Sequence, residues 1–371
     1  MTRFGIAVAA LLALLCAPSA AETQADRPLV TLFIVDNGGA DPWRTGLTDI
    51  GAATAPHLGL RFEVVVMPRG RKAGLDAIAA RLETTPSPDY ALIINDRGLA
   101  VSMMTQFETR GIESVLFNSP LSAEEYAEFG GPGDTFKGWL AEIIPDDEQA
   151  GYDLARALIA EARARRPEGT LNLLAIGGSP LNTVSVARLE GLNRALAEAE
   201  DVVLLQSVSA RWLRETAAEK YRGLAGRYDR VDIVWAASDD MALGVLGVAK
   251  ALGHDVTLGG MNWSAEARAA MAGDSYHASM GGHAIDIALA LGLIARHHAG
   301  QPLEDLDGDL RYTSRLDTMT SANRRHLAAM EALAHDPGNR RVADAVAHRL
   351  SRRDDVALSL RGLLEGGADA D

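Results

Sequence analysis

The stretch Trp235-Ala236-Ala237-Ser238-Asp239-Asp240-Met241-Ala242-Leu243-Gly244 sets the grammar of the chain. With Ile233 and Val234 before it, it reads as a short apolar strand running into a polar turn. Asp239 is positioned to cap a helix predicted over 241–252. The same strand–turn–helix unit recurs outward from this point. Leu29-Val30-Thr31-Leu32-Phe33-Ile34-Val35 is a near-continuous apolar run stopped by Asp36-Asn37-Gly38-Gly39. Asp41-Pro42-Trp43 then opens a helix, with Asp as cap and Pro at its first position. Further strands are predicted at 62–67, 90–94, 114–117, 171–176, 202–207, 256–259 and 276–280, and helices at 72–82, 98–110, 148–165, 184–199, 214–227 and 285–298. A Gly-rich stretch around Phe129-Gly130-Gly131-Pro132-Gly133 separates two such sets. The fold class expected is α/β: two doubly wound parallel-sheet lobes.

A length of 371 residues accommodates two domains. A hydrophobic fraction of 47% excludes a largely disordered chain. A net charge of −14 argues against a partner that is nucleic acid, which calls for a basic stripe. Aromatic residues make up only 5%, so each Trp in a loop needs a reason. At the N-terminus, Arg3, an apolar run from Phe4 to Ala17, and Pro18-Ser19-Ala20-Ala21 form the three-part pattern of a secretory signal peptide over 1–21. Cleavage near Ala21 would export the chain to the periplasm and remove Cys16, its single cysteine.

Ligands of open parallel sheets sit outside the carboxyl ends of the strands. Those ends carry Asp36-Asn37, Asn95-Asp96, Asn118, Gly177-Gly178, Ser238-Asp239 and Asn262-Trp263. Taken singly, each is also an ordinary turn or cap residue.

The stretch from Trp235 to Gly244 resembles the motif of the ribose/galactose type of periplasmic solute-binding protein, whose core is shared with sugar repressors and the autoinducer-2 receptor. Arg188-Leu189-Glu190-Gly191-Leu192, Gly259-Gly260-Met261-Asn262 and Asp41-Pro42-Trp43 support it in order and spacing, and the resemblance covers about 28–320. It implies two lobes joined by a three-crossing hinge. The first would be 28–145 with 282–308, the second 146–281 with 309–323, and 324–371 would be a helical tail beyond the family's usual ending. It also implies a small polyhydroxylated, sugar-like ligand in the interlobe cleft.

The resemblance sets Trp43 against a sugar ring, although a helix-start aromatic in the core is the other reading. Asp41 accepts a ligand hydroxyl or caps its helix. Arg44 stands where relatives carry a second aromatic and is either ligand-facing or solvent-facing. Asn95 and Asn118 end their strands with amides that both donate and accept. Asn182 and Thr183 precede a helix. Val186 occupies the position the resemblance gives to an arginine that clamps pentoses, and Arg188 reads as structural. Asp239 is the strongest single candidate, as ligand acceptor, helix cap or both. Asn262 and Trp263 replace an Asp-containing turn, with Trp263 as a second stacking wall. His283 falls at the third crossing, where it either binds ligand and titrates near neutrality or caps a hinge helix.

No nucleophile elbow, phosphate loop or metalloprotease motif occurs, so neither catalysis, a metal nor a cofactor is expected. In the tail, Val342, Val346 and Leu350 form one apolar stripe, to pack on the body or dock a partner. The leading function is solute binding for an ABC permease. A sensor subunit for a membrane receptor kinase or cyclase is the alternative, and a hydrolase using Asp41 with Asp239 is a third.

Overall fold

The computed structural model describes residues 24–36, 42–303, 310–338, 340–351 and 358–365. The predicted signal peptide and Asp41 therefore lie outside the described residues. β1 (Leu29–Val35) is buried at every position, as an apolar run must be when helices cover both faces of a parallel sheet. There follow α1 (Pro42–Thr54), β2 (Arg61–Met67), α2 (Arg71–Leu82), β3 (Tyr90–Ile93), α3 (Ala100–Glu108), β4 (Glu113–Phe117), α4 (Ala123–Phe129) and β5 (Trp139–Pro145). The second series is α5 (Asp147–Arg165), β6 (Leu171–Gly177), α6 (Thr183–Ala197), β7 (Val202–Ser209), α7 (Arg214–Ala225), β8 (Ile233–Ala236), α8 (Asp239–Leu252), β9 (Thr257–Met261), α9 (Ala265–Ala272) and β10 (Ala278–Gly281). The chain returns through α10 (Asp286–His298), β11 (Arg311–Ser314) and β12 (Asp317–Thr320), and ends in α11 (Arg324–Ala334), α12 (Arg341–Ser351) and α13 (Leu360–Glu365).

Two six-stranded sheets result, ordered β11-β5-β4-β3-β1-β2 and β12-β10-β9-β8-β6-β7. Only the β10–β12 pair is antiparallel among the described strands. The crossings between lobes fall at β5–α5, β10–α10 and β11–β12. Two expectations need correction. β11 belongs to the first sheet, so the first lobe reaches Ser314 and the second lobe's return begins near Asp317 rather than 309. His283 is thus at the second crossing. α4, opened by a Ser122–Glu125 capping box, ends where the Gly-rich stretch begins, and the chain then leads into β5, which was not expected.

The second lobe depends on one close helix pair. A Cβ at Gly151 on α5 would stand 2.0 Å from the carbonyl oxygen of Arg188, and one at Gly191 on α6 would stand 1.9 Å from that of Glu148. The two backbones therefore touch, and no other residue fits at either point. The tail packs on the body. Val342 and Val346 are buried, and α12 lies so close to α10 that a Cβ at Gly292 would come within 2.3 Å of Val346. On α11, Glu331 is paired with Arg268 of α9. Burial nevertheless pushes the Glu331 carboxyl up to about 7.

Gly191→Ala should therefore destabilise the protein by about 1–3 kcal/mol through overpacking, read as a lower denaturant midpoint; an unchanged midpoint would contradict the backbone contact. Glu331 adds a pH dependence. Its raised value means that its contribution to folding is fully present below about 4.5 and is lost as pH rises through about 7. Glu331→Gln should remove a loss of ~3 kcal/mol across that window. Unfolding of variant and parent at pH 4.5 and pH 8 measures it, and a constant difference between the two proteins would refute it.

Candidate functional site

The strand order reverses at β1/β3 in the first sheet and at β6/β8 in the second. These switch points are where an open α/β sheet presents a crevice. The first lobe contributes the start of α1 and the turns after β3 and β4. The second contributes the turns after β6, β7, β8 and β9. The lobes meet across this space: the Ser119 and Thr183 hydroxyls lie 3.3 Å apart, and Thr183 also faces the Pro120 carbonyl at 3.4 Å.

Four side chains from the two lobes and the second crossing are linked here by a Trp43–His283 stack and an Arg188–Trp212 contact, with the Arg188 charge felt at His283. Trp43, half-buried at the start of α1, stacks on His283 with ring centroids 4.5 Å apart and planes 22° from parallel. His283 is buried at the second crossing, and its Nδ1 has no hydrogen-bond partner among the described residues. Burial, and then the nearby Arg188 guanidinium, hold its pKa well below the usual imidazole range. It is therefore a neutral ring at pH 7 rather than a group titrating near neutrality. Arg188 donates from Nε to Asp147 at 2.7 Å and from Nη1 to the Ala237 carbonyl at 2.7 Å. Its guanidinium carbon lies 5.8 Å from the centre of the Trp212 ring.

Trp212 was not among the sequence candidates. It follows β7 with φ of 66°, after Arg211 at 54°. Two adjacent non-glycine residues in the left-handed region cost on the order of 1–3 kcal/mol each, and such strain concentrates at ligand sites. The indole lies flat on the turn after β6, where a Cβ at Gly178 would stand 2.3 Å from the ring. The Gly177-Gly178 pair is the one sequence signal that could have pointed to an aromatic seated opposite.

Three candidates are committed elsewhere. Trp263 is fully buried, and its Nε1 donates to the Ser279 carbonyl at 2.9 Å. Its ring packs over Gly281 and Gly282, so it offers no face to a cleft. Asp239 is fully buried as well. Its carboxylate accepts from the Tyr276 hydroxyl at 2.6 Å, the Ser279 hydroxyl at 2.8 Å and the Ser264 amide at 2.7 Å. Burial raises its pKa against those bonds, and the cap of α8 is Ser238 instead. Asn95 spends its amide within the first lobe, donating to Pro120 and Glu125 and accepting from the Ala100 amide.

The other candidates lie at the carboxyl ends of the strands. Arg44 is half-buried and paired with Asp36 at 3.0 Å. Asn118 closes β4 with φ of 66°, and Asn262 follows β9 at 116°. The Asn182 side chain accepts from the Ser185 amide as the cap of α6, beside Thr183. Val186 is 41% exposed, so the arginine that reaches this interlobe group is Arg188.

Comparison with known proteins agrees with the two-lobed fold. A periplasmic sugar-binding protein from Pseudomonas fluorescens superposes with a TM-score of 0.75 at 25% identity, over 90% of this chain and 99% of that one. An ABC-transporter periplasmic solute-binding protein from Actinobacillus succinogenes with bound D-allose gives a TM-score of 0.69 at 17% identity, over 81% and 100%. That second likeness is one of fold. A xylitol-binding protein of Mycolicibacterium smegmatis is 29% identical over 113 residues, 30% of this chain and 31% of the relative. The match thus spans about a third of the length of that curated relative. Residues 76–302 match the family model of the periplasmic binding protein domain. That match takes in the first strand series from β3 onward, the whole second series and the first two crossings between the lobes, and the chain belongs to the family of periplasmic binding proteins.

Proposed function

We propose that the interlobe cleft binds a small polyhydroxylated, sugar-like solute without turning it over, and that the exported protein delivers it to an ABC permease. The observation that carries this reading is the group Trp43, His283, Arg188 and Trp212, which places an indole from each lobe at the carboxyl ends of the two sheets. An indole face packs on the C–H face of a sugar ring and buries a large area at low entropic cost. The buried His283 imidazole and the Arg188 guanidinium, held by Asp147 and the Ala237 carbonyl, support the two rings from behind. A ligand that touches both lobes favours the closed arrangement by its differential affinity. The names of the relatives, which bind D-allose and xylitol, point to the same ligand class. Asn118, Asn182, Thr183, Arg44 and Asn262 supply further polar groups around these four.

Titration with sugars and polyols, beginning with xylitol and D-allose, should identify a ligand that raises the melting temperature. Trp43→Ala and Trp212→Ala should each weaken its binding by about 1–3 kcal/mol, roughly one to two decades in Kd. Trp263→Ala should instead cost about 3–5 kcal/mol of stability, because it empties a core site. Calorimetric binding and thermal melting of the three variants separate the roles. Undiminished affinity in folded Trp43→Ala and Trp212→Ala proteins would overturn this site.

A further inference from the structure

The tail touches both lobes and two of the three crossings. On the first lobe, α12 lies on α10, His335 stands 3.9 Å from Asp49 of α1, and His57 Nε2 reaches the Pro337 carbonyl at 3.1 Å. On the second lobe, Glu331 pairs with Arg268. Arg268 in turn donates to the Trp263 carbonyl at the turn after β9. Arg361 of α13 pairs with Asp317 of β12 at 3.1 Å. Between these anchors, Leu358 bridges to Ser314 and accepts from the Arg315 amide at 2.9 Å. Leu360 covers the backbone at Gly282, where a Cβ would stand 3.4 Å away.

Lobe rotation in a hinged protein is absorbed by a few residues at the crossings. Here those residues are covered by a segment fastened on either side of them. We propose that the tail helices α11, α12 and α13 form a strap across the hinge that holds the lobes together, so that the cleft opens only when the strap releases the second lobe at Arg268 and Asp317. The strap thereby sets the fraction of molecules in the closed, binding-competent state, and with it the apparent affinity. Its action depends on the hinge and the tail, and not on which solute the cleft takes.

The test measures lobe separation in the full chain without ligand. Cys16 is the single cysteine, so a Cys16→Ser background accepts nitroxide labels at Lys72→Cys on α2 and Leu181→Cys after β6. Both positions are highly exposed, at 89% for the Lys72 side chain and 87% for Leu181. The parent should give a narrow distribution of short separations. Glu331→Lys with Arg361→Glu sets like charges against Arg268 and Asp317 while leaving α12 on α10. It should raise the fraction of long separations roughly threefold or more. Glu331→Gln, which can still accept from Arg268, should resemble the parent. If the double reversal does not fold, Arg361→Ala, at a half-exposed position, takes its place and should shift the distribution in the same direction. A distribution matching the parent's in a folded charge-reversed or Arg361→Ala protein would overturn the strap.

Discussion

The Asp147–Arg188 ion pair holds the centre of this molecule. Both side chains are almost wholly buried, at 4% and 3% exposure. Asp147 begins α5 directly after the first crossing, Arg188 lies in α6, and the second hydrogen bond of Arg188 ends β8 at Ala237. One guanidinium therefore ties a hinge segment, a helix and a strand end together. Desolvation raises the Asp147 pKa and Arg188 pulls it down, and loss of one partner of such a pair costs about 3–5 kcal/mol. The backbone contact at Gly151 and Gly191 is what brings the two helices close enough for it. Because the arginine is fixed from below, its flank can face His283 and Trp212 without being drawn out of line.

Much of the fold was legible because parallel strands buried on both faces are almost wholly apolar, and Leu29–Val35, interrupted only by Thr31, and Ile233–Ala236 are so. Among the strands that were not read, β11 lacked that signature. β11 is Arg311-Tyr312-Thr313-Ser314, a four-residue edge strand with two exposed positions. It can be recognised as part of the first sheet only through its pairing with β5. Such pairing is a long-range fact that no local pattern records.

The site was less legible, and its tryptophans show why. Trp43, Trp212 and Trp263 all follow a strand's carboxyl end, so position alone does not separate them. Burial does: Trp263 folds onto the neighbouring β10 to reach the Ser279 carbonyl, whereas Trp212 stays half-buried on a left-handed backbone that a sequence does not display. Asp239 misleads for a related reason. A carboxylate at a strand-to-helix junction satisfies the pattern for a ligand acceptor, but Tyr276, Ser279 and Ser264 consume its oxygens. Those three partners are 25 to 40 residues away in the chain.

The hinge is also where the ordinary rule for buried polar groups is broken. Asp286, at the second crossing, accepts from Ser314 at the third at 2.7 Å, yet its other oxygen and the Nδ1 of His283 are buried without a partner among the described residues. Burial raises the Asp286 pKa well above the usual carboxylate range, and Asp147 pushes it the same way. An orphaned buried polar atom costs about 1–3 kcal/mol. Two of them at one joint mean that the lobe contacts, the Trp43 stack and the tail must together offset a polar penalty concentrated at the hinge. A rigid core would select such groups away. A joint that must be stable at more than one angle can retain them, because an arrangement that satisfies every atom at one angle would resist leaving it. Local rules yield at functional sites while the surrounding structure obeys them. His283 and Asp286 at the second crossing and Asp317 at the third are among the described places where they yield here.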